Sequence, residues 1–188
     1  EDGFITRAGI RFCADQLELT AAQVASVATF YSMYRRNPTG EYLVGVCTNT
    51  LCATLGGDEI LDTICDHLGI EPGDTSADGR ITIEHVECNA ACDFAPVVMV
   101  NWEFFDNQTP DSAVELVEDL RAGVELEPSR GTGTLCSFRT TARILAGLDS
   151  PASEAPSSQP LPPPLPEPQS PPPLPEVRGA PATSLEGP

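Results

Sequence analysis

The sequence predicts an α/β (α+β) domain built on a small mixed sheet, preceded by a short helical region and followed by a proline-rich tail. Three observations carry this. Apolar β-type runs at 41–46 and 81–86 flank an amphipathic helical pattern, the signature of a βαβ unit. Two further short runs, 97–101 and 103–105, read as an antiparallel pair that leads into another helix. Fourteen of the 19 prolines follow residue 149, which leaves about 1–148 to fold, enough for one hydrophobic core. The expected organisation is a helical region over 1–36, the sheet domain over 37–128, an extension over 129–149, and a disordered proline-rich tail over 150–188.

The elements follow in order. Ile10, Cys13 and Leu17 are spaced to share one face of a helix over 6–17. Thr20-Ala-Ala-Gln23 is a capping-box pattern that opens a second helix through Phe30. The aromatic cluster Phe30, Tyr31 and Tyr34 has two readings: it ties the helical pair onto the main domain, or it docks another protein. Spacing alone favours the tie. A turn at 37–40 leads into the first strand. Ile60, Leu61, Ile64, Cys65 and Leu68 form the apolar stripe of the next helix, which Gly69 stops. A polar loop over 71–79 precedes the second strand. Thr109-Pro110 supplies an N-cap and a first-turn proline for a helix ending near Gly123. The order from residue 41 is β-α-β-β-β-α, a thioredoxin-like arrangement. The extension has room for a short helix over 139–145. The tail cannot bury enough surface to fold, and it reads as an extension or linker before it reads as a PxxP ligand.

Composition narrows the function. The net charge of −18, with ten arginines and no lysine, argues against nucleic-acid binding and against docking on anionic lipid. A basic protein surface remains a suitable partner. No run of about 20 apolar residues is present to cross a membrane, and no signal-peptide pattern is visible. Seven cysteines, an odd number without a secretory signal, point to metal or redox chemistry rather than a disulfide framework.

Four of those cysteines are organised. Cys47-Thr-Asn-Thr-Leu-Cys52 and Cys88-Asn-Ala-Ala-Cys92 give a C-x4-C and a C-x3-C pair separated by 35 residues. Each pair follows an apolar strand, so parallel pairing of the strands would bring the four sulfurs to the sheet edge where α/β proteins bind ligands. Structural zinc usually takes shorter hooks. A dithiol oxidoreductase needs C-x-x-C, which is absent from the sequence. A 2Fe–2S cluster takes two thiolates per iron, and its width suits the looser hooks. Spacing favours iron–sulfur and leaves zinc open. Gly56, Gly57 and the helix start at Asp58 offer backbone N–H groups nearby, while Glu87 and Asp93 lower the expected reduction potential. Cys13 and Cys65 read as small core residues, and Cys136 has no clear context. His85 reads as a surface or supporting residue, and His67 as a helix residue with no evident partner. No G-x-S-x-G, P-loop or G-x-G-x-x-G occurs, so the chain should carry electrons rather than oxidise a substrate itself.

At these residues the chain resembles the small thioredoxin-like 2Fe–2S ferredoxin subunit of NADH:quinone oxidoreductase, respiratory complex I. The resemblance covers roughly 1–123. It runs through Glu1-Asp-Gly-Phe-Ile5, Val27-Ala-Thr-Phe-Tyr31-Ser-Met33, and Val46-Cys47 to Cys52 and on to Gly57. Its most specific part is Asp78-Gly-Arg-Ile-Thr82 to Cys88-Asn-Ala-Ala-Cys92-Asp-Phe-Ala-Pro96, against a family pattern D-x2-F-[ST]-x5-C-L-G-x-C-x2-[GA]-P. Ile81 stands for Phe, Asn89 for Leu and Ala90 for Gly, and Ala90 makes a positive-φ turn less comfortable.

The resemblance implies a 2Fe–2S cluster held by Cys47, Cys52, Cys88 and Cys92. It implies packing against a larger subunit that binds FMN and NADH, with electron exchange with that flavin off the main route to quinone. The helical region and Thr29-Phe30-Tyr31 would then contribute to docking. The chain would act as an oxidoreductase only as a subunit, with no complete active site of its own. Its expected location is peripheral, on the cytoplasmic side of the inner (plasma) membrane within a membrane complex. The equivalent subunit of an NAD-linked hydrogenase or formate dehydrogenase, a free-standing ferredoxin and a zinc-stabilised binding module are the alternatives.

Overall fold

Strand β1 (Tyr42–Cys47) lies inside a four-stranded mixed sheet of order β2-β1-β3-β4. It pairs in parallel with β2 (Ile81–Val86), from Tyr42 opposite Ile81 to Cys47 opposite Val86. Its other side pairs antiparallel with β3 (Val98–Val100), which pairs antiparallel with β4 (Glu103–Phe105). The computed structural model describes residues 3–131 and 133–148; the expected tail over 150–188 lies outside the described residues. The thioredoxin-like reading of the element order stands, with one short helix added.

One sheet face is the core. Alternation along the strands turns Val44, Val46, Ile81, Ile83, Val98 and Val100 to the same side, and all are buried. Helices α4 (Gly57–Leu68) and α5 (Pro110–Ala122) cover that side with Ile60, Ile64, Ala113, Val117 and Leu120. Each fully buried Ile or Leu contributes about 1.5–3 kcal/mol of transfer free energy. The α4 stripe, its Gly69 cap at φ 67°, and the Thr109 cap of α5 are as the sequence predicts. Between β1 and α4 a helix of five residues, α3 (Thr50–Thr54), was not anticipated; Asn49 caps it, accepting from the Thr50 N–H at 3.0 Å.

The β3–β4 connection is a tight turn through Asn101 (φ 50°) and Trp102 (φ 69°), both left-handed as a two-residue hairpin requires. Trp102 is a poor choice for that conformation, which costs a non-glycine residue roughly 1–2 kcal/mol. Its indole packs instead on Phe138 at 5.1 Å, tying in the last helix. Asn101 makes the same connection through its amide. Buried, it accepts from the Leu43 N–H at 2.8 Å and donates to the Cys136 carbonyl at 2.8 Å. The Phe138 N–H donates to the Glu41 carbonyl at 2.7 Å. The extension is thus bonded to the sheet, and its helix α6 (Phe138–Leu145) starts one residue before the predicted span.

At the other end, α1 (Arg7–Leu17) is capped by Thr6, and α2 (Ala21–Phe30) carries the predicted Thr20–Gln23 capping box. They pack on each other and bury Ala14 and Ala28. This corrects one expectation: Cys13 is exposed rather than a core residue, because the buried line of α1 passes through its neighbour Ala14. Leu17, expected on the same face, is 63% exposed. Among the described residues no helix is long and apolar enough to cross a membrane.

Candidate metal centre

Parallel pairing puts the C-terminal ends of β1 and β2 side by side, and both cysteine pairs start there. Cys47 is the last residue of β1, opposite Val86, and Cys88 lies two residues past the end of β2. Cys52 sits on α3, and Cys92 opens a 3₁₀ turn, Cys92–Phe94. Strand alternation turns Cys47 to the face opposite Val44 and Val46, away from the main core. There it joins Cys52, Ala91 and Val97 in a second, smaller buried cluster.

The two pairs differ in access. Cys47 and Cys52 are buried, while Cys88 and Cys92 are exposed with sulfurs 3.6 Å apart. Two features of the backbone shape the buried pair. The Cys47 N–H donates to the Val97 carbonyl at 3.1 Å. Gly57, at the start of α4, lies so close that a Cβ there would stand 2.5 Å from the Cys47 carbonyl oxygen and 2.9 Å from the Cys52 carbonyl carbon. At the exposed pair, Ala90 has φ 55°, the left-handed conformation that its place in the sequence pattern requires. Its N–H points at the Cys88 sulfur at 3.4 Å.

Electrostatics favour the protonated form of two of the bare thiols, Cys52 and Cys92. Burial pushes the Cys52 thiol up to about 11, with further contributions from its hydrogen bond to Cys47 and the proximity of Cys92. Cys92 is raised chiefly by its hydrogen bond to Cys88 and by that neighbour's charge. A cation replacing these protons satisfies all four sulfurs together, and its binding releases protons. Glu87 accepts from the Asn49 amide at 3.0 Å, leaving one acidic side chain anchored beside the pairs.

The donor set fits a binuclear centre better than a single ion. Four thiols arranged as two pairs match two irons with two protein sulfurs each. The Asn89 side-chain Nδ2 is buried without a hydrogen-bond partner. This donor lies one residue along the chain from Cys88 and asks for an acceptor. Asn89 departs from the family pattern, which has Leu at that place.

The other candidates separate cleanly. Cys65 is buried on α4, its thiol raised by burial, and Cys136 is half-buried in the extension. His85 is exposed on β2. His67, expected to lack a partner, has its Nε2 2.8 Å from a Glu118 carboxylate oxygen on α5. Phe30, at 81% exposure, Tyr31 and Tyr34 stack edge to face along the surface, with centroids 4.9 and 6.2 Å apart. Tyr31 and Tyr34 also line a cavity with Trp102, Ala142 and Leu145 of the hairpin turn and last helix.

Comparison with known proteins identifies the family. An NADH-quinone oxidoreductase subunit of Mycobacterium tuberculosis is 66% identical over 148 residues, covering 79% of this chain and 58% of that protein. The chain thus spans somewhat over half the length of this mycobacterial relative. The NADH-quinone oxidoreductase subunit 2 of Thermus thermophilus is 38% identical over 128 residues, 68% of this chain and 71% of that one. An NAD+-reducing [NiFe]-hydrogenase in the H2-reduced state shares the fold, with a TM-score of 0.57 at 19% identity over 63% of this chain and 20% of that chain. The model of the thioredoxin-like [2Fe-2S] ferredoxin family matches residues 1–121. With both cysteine pairs inside that match, the chain belongs to the thioredoxin-like [2Fe-2S] ferredoxin family, and its cofactor is a 2Fe–2S cluster.

Proposed function

We propose that this chain is an electron-transfer subunit of an NADH:quinone oxidoreductase, with Cys47 and Cys52 holding one iron of its cluster and Cys88 and Cys92 the other. The observation that supports it is the gathering of two thiol pairs at the shared end of β1 and β2, in a chain 66% identical to the mycobacterial oxidoreductase subunit. When bound, the cluster takes up and gives back one electron. The chain's own residues would hold it between a buried pair of thiols and an exposed pair. Cys47 and Cys52 sit under Val97 and Ala91, which exclude water, whereas Cys88 and Cys92 face solvent, where a partner's redox group can approach. Glu87 and Asp93 flank the thiols with negative charge, which disfavours adding an electron and favours a low potential.

The partner in this reading is the larger subunit that binds FMN and NADH, docked on the exposed aromatic cluster Phe30, Tyr31 and Tyr34. The subunit is peripheral in the membrane complex, on the cytoplasmic side. The test is to co-express the chain with that flavin subunit and add NADH anaerobically. The cluster's visible absorption should bleach only when the partner is present. Bleaching by NADH without a partner, or failure of the chain to co-purify with the flavin subunit, contradicts the assignment.

A further inference from the structure

Arg130 belongs to the extension, beyond the residues 1–121 that the family model covers. Its guanidinium makes a two-point contact with Asp106, at 2.6 and 3.0 Å. Its Cζ also lies over two aromatic rings, 4.9 Å from the centroid of Phe94 and 4.6 Å from that of Phe104. Phe94 is the third residue of the turn that Cys92 opens, and Phe104 lies on β4. The same turn is tied to the segment after β4 by backbone: Asn107 and Gln108 N–H donate to the Phe94 and Pro96 carbonyls at 2.8 and 2.9 Å. Arg130 is itself held in place, because the Ser129 N–H donates to the Phe104 carbonyl at 2.7 Å and the Ser129 hydroxyl accepts from the Asp106 N–H at 2.8 Å.

We propose that Arg130 is a positioning residue for the cluster, clamping Phe94, and with it the Cys92 turn, onto β4. A planar, permanently charged fork can meet a carboxylate with two hydrogen bonds while presenting its faces to aromatic rings, and lysine cannot. Asp106 is almost wholly buried, with 9% of its side chain exposed, so its charge requires that partner. The turn carrying Cys92 is the exposed side of the site and the part most open to local unfolding. The clamp therefore governs how fast the cluster is lost. This inference rests on the cysteine assignment proposed above.

The test uses the full chain with its cluster, comparing wild type with Arg130→Ala, Arg130→Lys and Phe94→Leu. Arg121→Ala serves as control, because Arg121 pairs with Asp78 and Glu118. Two rates are read: amide hydrogen exchange at Asn107 and Gln108, and bleaching of the visible absorption by an iron chelator. In Arg130→Ala, Arg130→Lys and Phe94→Leu both rates should rise about tenfold, with no change in Arg121→Ala. Faster exchange with unchanged bleaching would overturn the role toward the cluster, and unchanged exchange would overturn the clamp. An equal rise in Arg121→Ala would overturn both by showing general destabilisation. Iron and sulfide content of wild type, measured alongside, separates this outcome from failure of the cysteine assignment, while exchange at Asn107 and Gln108 judges the clamp in either case.

Discussion

Gly57→Ala should destabilise the protein even though it replaces a glycine at the start of a helix. Two effects favour the substitution: helix propensity, by up to about 1 kcal/mol, and reduced freedom of the unfolded chain, which overlaps with it. Against them stands geometry. The new Cβ would sit 2.5 Å from the Cys47 carbonyl oxygen and 2.9 Å from the carbonyl carbon and oxygen of Cys52. All three are backbone atoms, and no rotamer change can move them aside. Overpacking of that kind costs about 1–3 kcal/mol or more, so the net effect is a loss of about 1–2 kcal/mol. For a domain of this size that is a fall of roughly 2–8 °C in Tm. Relief requires moving Cys47 or Cys52, so cluster content should fall as well. Thermal scans followed by circular dichroism and by visible absorption measure both. Gly69→Ala is the control: φ there is 67°, with open space around the Cβ position, so it should cost stability alone. A higher Tm for Gly57→Ala with full cluster content would refute the close approach.

The other predictions concern the turn, the extension and a surface carboxylate. Ala90→Gly should stabilise the chain by up to about 1 kcal/mol, because relief of a left-handed alanine, roughly 1–2 kcal/mol, exceeds the added freedom of an unfolded glycine, roughly 0.5–1. Chemical denaturation checks it, and a fall in stability contradicts it. Asn101→Ala leaves the buried Leu43 N–H without its acceptor and frees the Cys136 carbonyl, so it should cost about 1–3 kcal/mol and loosen α6. Faster amide exchange at Phe138 is the expected sign. Asp78 is held well below the usual carboxylate range by hydrogen bonds from Ser76, the Arg80 N–H and Arg121. A depressed carboxylate contributes stability that is present above its unfolded value, near 4, and is lost as pH falls through its folded value. Its carboxyl carbon shift should therefore stay that of the ionised form at pH 4, and Arg121→Ala should move the titration upward. Titration at the usual carboxylate value in wild type would contradict this.

How far the sequence could be read differs by element. The βαβ unit, the hairpin and α5 were legible because apolar runs of strand and helix period alternate there with clear caps, such as Thr109 and Gly69. The parallel partnership of β1 and β2 followed from that order, and with it the placing of both thiol pairs at one sheet edge. Helix α3 was not legible, because Thr50-Leu-Cys-Ala-Thr54 is too short to show a period; Asn49 as a cap was its one signal. Cys13 was misplaced for a related reason. Ile10, Cys13 and Leu17 satisfy helical spacing, but a two-helix hairpin that touches its neighbour through Ala14 and Ala28 buries small residues and leaves the larger ones out. The extension was opaque because what holds it is polar and distant: Asn101 to Cys136, Arg130 to Asp106. Neither pair has a spacing that marks it. Asn89 departs from the family pattern, and its buried, unpartnered Nδ2 has no sequence signal of its own.

The most direct measurement is on the full chain purified without oxygen: iron, zinc and acid-labile sulfide per chain, with an EPR spectrum after dithionite reduction. Two irons and two sulfides, no zinc, and a signal from the reduced cluster are the expected result, and Cys88→Ser should lose them while Cys65→Ser keeps them. One zinc without sulfide, or a full cluster retained in Cys88→Ser, would contradict the assignment of Cys47, Cys52, Cys88 and Cys92.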